Sequence, residues 1–208
     1  MPRHVTALVL ALLAVTACPA ATGPRVEPIH VAGTYEHPAS GLRFPEQVGG
    51  FRRAEINQFD RDGLNIGVGY NYEEADASIA LTVYVRRPLV LEKGELASLG
   101  HQFAIERYVI HQYHRDVSEV WSQDVEISDS DRSFPGYAAE FHYNEFFNFA
   151  ERDVVSFLYL FDRDGWVVKY RITYAERQQS ASGLVFGQLL KIAPWGTCAA
   201  YRCTGRRF

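Results

Sequence analysis

The sequence predicts an α+β domain: a central antiparallel sheet of about six to seven strands flanked by two helices. Three observations carry this. Apolar residues alternate with polar ones over a succession of stretches between Phe51 and Tyr174, the period of half-buried strands. A helical period replaces the alternation between about Glu95 and Val117 and again between about Arg177 and Ile192. The phrase Phe59-Asp60-Arg61-Asp62-Gly63-Leu64 recurs as Phe161-Asp162-Arg163-Asp164-Gly165-Trp166, each copy between two alternating stretches. Aspartate before glycine supplies the two φ > 0 positions of a type I′ hairpin turn.

In chain order, Met1-Pro2-Arg3-His4, the apolar run Val5–Val15 and Thr16-Ala17-Cys18 have the parts of a secretory signal peptide, which assigns residues 1–17 to it. Val15-Thr16-Ala17-Cys18 also resembles the lipobox of bacterial lipoproteins, which makes Cys18 the expected lipidated residue of the mature chain. Ordinary secretion after a cut at the same bond is the alternative. Both readings place the protein outside the cytoplasm, in the cell envelope and facing the periplasm if the cell is Gram-negative. Residues 18–41 carry Pro19, Pro24, Pro28 and Pro38 without apolar period and are expected to form a tether. A single domain is expected over 42–208, since the length suits one core and 47% apolar residues suffice to fill it.

Strands are expected at Phe51–Phe59, Leu64–Tyr72 and Ala77–Arg87, a meander ended by Pro88, which cannot donate to a ladder. The first helix follows with Leu96, Leu99, Phe103, Ile110, Tyr113 and Val117 on one side and Gln102 across from them. A four-strand meander then runs through Val120–Ile127, Gly136–Phe147, Val154–Phe161 and Trp166–Tyr174. In the last strand Trp166, Val168, Tyr170, Ile172 and Tyr174 share one face and Lys169, Arg171 and Thr173 the other. The second helix, weakened by Gly183 and Gly187, ends at Pro194. Beyond it Cys198 and Cys203 suit a short disulfide in an oxidising compartment.

This order of elements, with Gly41-Leu42-Arg43-Phe44-Pro45 and Trp166-Val167-Val168-Lys169-Tyr170-Arg171-Ile172-Thr173-Tyr174, resembles the PsbP-like fold. That fold is an α/β/α sandwich found among exported bacterial lipoproteins and in the photosystem II extrinsic subunit. The resemblance covers most of residues 42–192. It implies an accessory or binding protein, and it carries no functional residue across, because the fold has no shared catalytic motif.

Composition excludes some functions. A formal charge of −4 argues against a nucleic-acid partner. No nucleophile elbow, Walker loop or C-x-x-C motif is present, so no cofactor is expected. His111 and His114 form H-x-x-H, with His101 earlier on the helix, but no acidic residue completes a ligand set, and solvated histidines are the better reading. Asp129, Asp131, Ser133 and Glu140 match positions of a calcium loop, yet Phe134 stands where glycine is required; no metal site is expected. Gly67 and Gly69 fall inside a strand, where missing side chains mark a bulge or a close approach rather than a phosphate loop.

The remaining candidate site is strand-based. Glu140, His142 and Asn144 share one strand face, and Lys169 and Arg171 share the polar face of another. If the two faces align, they form a charged patch for a small polar or anionic ligand; otherwise they are cross-strand ion pairs on a wet sheet. The expected function is a non-enzymatic binding or accessory module, membrane-held through its lipid, that recognises an envelope protein or a small ligand. An exported hydrolase using the same charges is the alternative.

Overall fold

In the computed structural model, which describes residues 26–74, 77–129, 132–177 and 200–203, the alternating stretches join into one antiparallel sheet. The chain forms β1 (Glu27–Pro28), β2 (Tyr35–Glu36), β3 (Arg43–Phe44), β4 (Gln47–Val48), β5 (Phe51–Gln58), β6 (Ile66–Glu74) and β7 (Ala77–Arg86). Helix α1 (Leu99–Tyr113) leads to β8 (Ser118–Asp129), β9 (Arg132–Phe147), β10 (Ala150–Arg163), β11 (Trp166–Ala175) and β12 (Ala200–Cys203). The sheet order is β1-β5-β6-β7-β11-β10-β9-β8-β12, with β4 also paired to β5, while β2 and β3 form a separate pair. The seven long strands are those the alternation predicts. The sheet is wider than expected because β1, β4 and β12 are too short to show a period.

The expected core face is observed. Ile66, Val68 and Tyr70 on β6, Leu81, Val83 and Val85 on β7, and Val168, Tyr170 and Ile172 on β11 are buried on one side of the sheet. Full burial of such side chains is worth roughly 1.5–3 kcal/mol each. The opposite side has a smaller core of Ala139, Phe141, Leu158, Leu160 and Val167, covered by Phe103 and Ile110 of α1. Among the described residues α1 is the one α-helix; the second expected helix, the signal segment, Cys18 and Cys198 all lie outside them.

Four expectations are corrected. The domain begins well before Leu42, because β1 pairs with β5 and the β2–β3 pair packs Tyr35 and Phe44 into the core. His37, fully buried, holds that segment down. Its ring contacts Ser40 Oγ and the Gly63 carbonyl at 2.6 Å each and stands edge-on to Trp166. Prolines in 18–41 suggested a tether, but buried Tyr35 and His37 belong to the fold.

The repeated turns also differ. Asp164 and Gly165 both have positive φ between paired Arg163 and Trp166, a tight two-residue loop. In the first copy only Gly63 does, and the loop is wider, with Asp60 Oδ1 accepting from Leu64 N at 2.9 Å. Helix α1 starts later than Glu95, at an N-cap where Ser98 Oγ accepts from His101 N. Its expected stripe is shifted as well: Leu96 and Tyr113 are 65% and 81% exposed, whereas Gln102 is buried. Gln102 is satisfied there by donating to Ala97 O and accepting from Arg86 and from Leu89 N.

Gly136, opposite Phe161 in the β9–β10 ladder, shows how tightly the central strands meet. A Cβ at this position would collide with the Phe161 ring and lie 2.6 Å from the Leu160 carbonyl oxygen. Gly136→Ala is expected to cost about 2 kcal/mol through overpacking, read as a lower urea midpoint at unchanged slope.

Candidate functional site

The two halves of the predicted site are each assembled as expected but lie on opposite faces of the sheet. Arg171 pairs with Leu158, which pairs with Ala139, so Arg171 and Lys169 belong to the α1 side. Glu140 pairs with Phe157, a residue of the other core, so Glu140, His142 and Asn144 belong to the far side. Strand alternation decides this. A slip of one residue between β9 and β11 would have brought them together, and the ladder has none.

On the α1 side, Glu106 is the central carboxylate. It projects from the helix and accepts from Lys169 Nζ at 2.9 Å through one oxygen and from Arg86 Nη2 at 3.2 Å through the other. All three side chains are mostly buried. Burial pushes the Lys169 ammonium pKa down, Glu106 pulls it back up, and Arg171 and Arg86 push it down again. Lys169 also lies over the Tyr84 ring, 4.1 Å from its centroid. Burial raises the Tyr84 phenol pKa, against the lowering influence of Arg171 and Thr82. The helix is thus tied to β7 and β11 by one carboxylate shared between two cations.

Arg171 stands next to this triad with a different set of partners. Its Nη2 donates to Tyr143 OH at 3.0 Å and to Ser156 Oγ at 2.9 Å, and Ser156 shares a further bond with Thr173 at 3.1 Å. Among the described residues no carboxylate lies within ion-pairing distance of it. The ladder places Gly69 and Thr82 beside Arg171, and Asn71 and Ala80 beside Thr173. These are small or short side chains. The result is a cation on a floor of hydroxyls, flanked by Tyr84 and Tyr143, on the part of the sheet next to the helix. Such a surface suits an oxyanion, which would accept from Arg171 while the hydroxyls turn toward it.

On the far side, Trp121 Nε1 donates to Glu140 at 2.5 Å, and His142 Nε2 is 2.8 Å from the other oxygen of the same carboxylate. His142 Nδ1 lies 3.5 Å from Glu176. Asn144 donates to Asp153 on the neighbouring strand. These side chains satisfy one another, within β9 and across to β8 and β10. His142 and Glu140 have the parts of an acid and base pair, but among the described residues no serine, threonine or cysteine side chain bonds to either.

The weaker candidates separate in the same way. His111 lies near Glu119 at 3.9 Å and edge-on to Phe141, while His114 lies near Glu145 at 3.9 Å and stacks on Tyr143. The H-x-x-H histidines therefore serve different neighbours. Gly67 and Gly69 accommodate a close approach: a Cβ would meet the Phe59 ring at 2.9 Å and Glu55 Cγ at 3.0 Å. Asp131 of the calcium pattern lies outside the described residues, and Glu140 is engaged by Trp121 and His142. Cys203 lies on β12 opposite Val125.

Sequence reading missed Glu106, Arg86, Tyr143 and Ser156 as parts of one assembly. Ser156 carried a signal, as the one polar residue in the run Val154–Phe161, all of which is buried. A cavity of 580 Å³ beside β1 and β5, lined by Ile29, Val31, Glu46 and Arg53, was also missed. It sits at a bulge between Arg53 and Glu55. The five-residue spacing of buried Phe51 and Ile56, odd for one strand face, was its trace in the sequence. Arg53 is not available there, since it donates to the Phe44 and Val31 carbonyls.

No known family matches the sequence, and no curated protein matches it. Among solved structures, the chain is similar to cyanobacterial PsbP (CyanoP) from Synechocystis sp. PCC 6803. The identity is 13% over 88% of this chain and 99% of that one, with a TM-score of 0.45. This is the fold family that the element order resembles. The similarity carries no residue role.

Two outcomes are expected from the α1 side. Glu106→Gln leaves Arg86 and Lys169 without their shared countercharge and should cost about 3 kcal/mol at neutral pH. Without Glu106 the Lys169 pKa falls further, so the folded state binds fewer protons than the unfolded one. The deficit should therefore shrink as pH rises toward the ordinary lysine range, in urea melts at neutral and alkaline pH. For His114, burial holds the imidazole pKa below its ordinary 6.5, Glu145 raises it and Arg171 lowers it. Arg171→Gln should move the His114 titration to higher pH, read by NMR of its ring protons.

Proposed function

We propose that this chain is an extracytoplasmic binding module, held to the envelope membrane through a lipidated Cys18, that takes the anionic group of a small ligand at Arg171. The observation that carries this reading is the arginine itself. It is half-buried, braced by Tyr143 and Ser156, and among the described residues it has no carboxylate partner, while its basic neighbours Arg86 and Lys169 share one. A cation positioned by neutral hydroxyls keeps its charge for an incoming anion. Lys169, by contrast, is committed to Glu106 and serves the site through its field, and Thr173 and Thr82 supply hydroxyls beside it.

The hydrolytic reading has less support. It required Glu140 and His142 to work with Arg171 on one substrate, and the sheet stands between them. The lipid at Cys18 rests on the sequence of the signal segment alone, and its role here is to set the location of the module.

Calorimetric or thermal-shift titration with inorganic phosphate and with citrate tests the site. At about ten times the dissociation constant, a ligand of the folded state adds about 1.4 kcal/mol, which raises the midpoint by roughly 3–5 °C for a chain of this size. That shift should vanish in Arg171→Gln and survive in His142→Ala. An Arg171→Gln variant that melts lower but keeps the full anion-induced shift would show the arginine to be a brace only.

A further inference from the structure

The β9–β10 hairpin projects beyond its neighbours as a finger. Ladder pairing with β8 begins at His142 and pairing with β11 ends at Val154, so between them the two strands have only each other as ladder partners among the described residues. At the tip, Phe147 pairs with Ala150 across a two-residue turn of Asn148 and Phe149. Both turn residues have positive φ, 49° and 65°. Phenylalanine is a poor occupant of that conformation, which glycine adopts without strain. Its side chain is 91% exposed and that of Phe146 is 66% exposed. The turn therefore holds an aromatic ring in water at a conformational cost, the kind of outlier that marks a functional constraint.

We infer that this tip is a second membrane contact, which inserts Phe146 and Phe149 into the interface of a zwitterionic bilayer. Phe146-Phe147-Asn148-Phe149-Ala150 is uncharged, and Glu145, Glu151 and Arg152 stand immediately behind it. At roughly 3.3 Å per residue the uncharged cap is about 7–10 Å deep, comparable to the depth to which interfacial elements enter the headgroup region. The cross-strand pairs satisfy much of its backbone, so the side chains can enter without stripping water from many unpaired amides.

A bilayer fits better than a protein socket. Two aromatic side chains offer at most about 500 Å², below the roughly 800 Å² per partner of a stable protein interface. A membrane demands no such area, least of all if Cys18 tethers the protein nearby, the one point at which this inference rests on the function proposed above. The exposed Tyr113 lies at the same end of the sheet, since the adjacent His114 contacts Glu145 and stacks on Tyr143, and an amphipathic ring there suits the headgroup level. Charge selects the lipid. Glu145, Glu151 and Asp153 outnumber Arg152 at the base of the finger, so anionic headgroups should weaken the contact.

The test uses the mature chain carrying Cys18→Ser, so that the finger is measured without the lipid, in flotation with phosphatidylcholine vesicles. The chain is expected to float, less so when phosphatidylglycerol replaces part of the lipid. Phe146→Ser with Phe149→Gly should lower the partition coefficient about tenfold or more. Phe149→Gly alone should leave the melting temperature unchanged or higher, which separates lost contact from lost folding. In a Phe149→Trp chain, brominated lipid should quench the emission of the added indole. The Phe146→Ser with Phe149→Gly chain should keep its anion-induced rise in melting midpoint, so failure here and failure of the anion site are distinguishable. Absent flotation, partitioning unchanged in the double variant, or an added indole whose emission is indifferent to brominated lipid would each overturn the proposal. A tip that instead photocrosslinks to an envelope protein while ignoring vesicles would overturn it in favour of a protein partner.

Discussion

The structure depends on the pairing of β7 with β11. These strands are far apart in sequence, yet Val167↔Arg86 through Tyr174↔Ile79 form an unbroken ladder that makes one sheet of two meanders. Each meander alone would expose a strand edge and half a core. Joined, they bury Val83, Val85, Val168 and Tyr170 on one face. The register also places Tyr84 beside Lys169 and Thr82 beside Arg171 on the other face. The polar assembly under the helix is a consequence of that register, and a shift of one residue would turn every one of those side chains through the sheet.

Helix α1 is attached to this joined sheet in two ways. Phe103 and Ile110 supply apolar contact over β9 and β10, and Glu106 supplies charge contact to β7 and β11. The second is expensive in isolation, since three mostly buried ions lose hydration, and it holds because one carboxylate meets two cations with separate oxygens. A polar seam of this kind fixes where the helix lies along the sheet, and it leaves Arg171 just beyond the ions with hydroxyl partners only. The hydroxyl-lined surroundings of Arg171 and the helix position thus have one origin.

The two proposed contacts use different parts of the molecule. The anion surface is on the well-packed centre of the sheet, where neighbouring strands hold each group. The aromatic finger is where neighbouring strands have stopped. Rigid placement suits the recognition of a small charged group, and projection suits an extended surface such as a bilayer. A lipid at Cys18 would leave orientation free, whereas a second contact through the finger would restrict how the anion surface faces its surroundings.

Much of this was legible in the residues. Period-two alternation identified the seven long strands and the correct core face of β6, β7 and β11, because each strand's own pattern determines which of its residues point together. It also grouped Glu140, His142 and Asn144 on one face of their strand and Lys169 and Arg171 on one face of theirs. What it could not determine was their relation, since alternation is a property of one strand and gives no phase between strands. Glu140 and Arg171 were each grouped with the right neighbours on their own strands, and only the ladder through β10 placed those faces on opposite sides. For the same reason Gln102 and Tyr113 exchanged places relative to the helical stripe: Gln102 turned inward because Arg86, at the end of β7, and the Leu89 and Ala97 backbone meet it there, a match that no period within the helix records. The sequence by itself determined the elements and their apolar faces. Tertiary structure alone decided which polar residues meet, because that depends on register between segments distant along the chain.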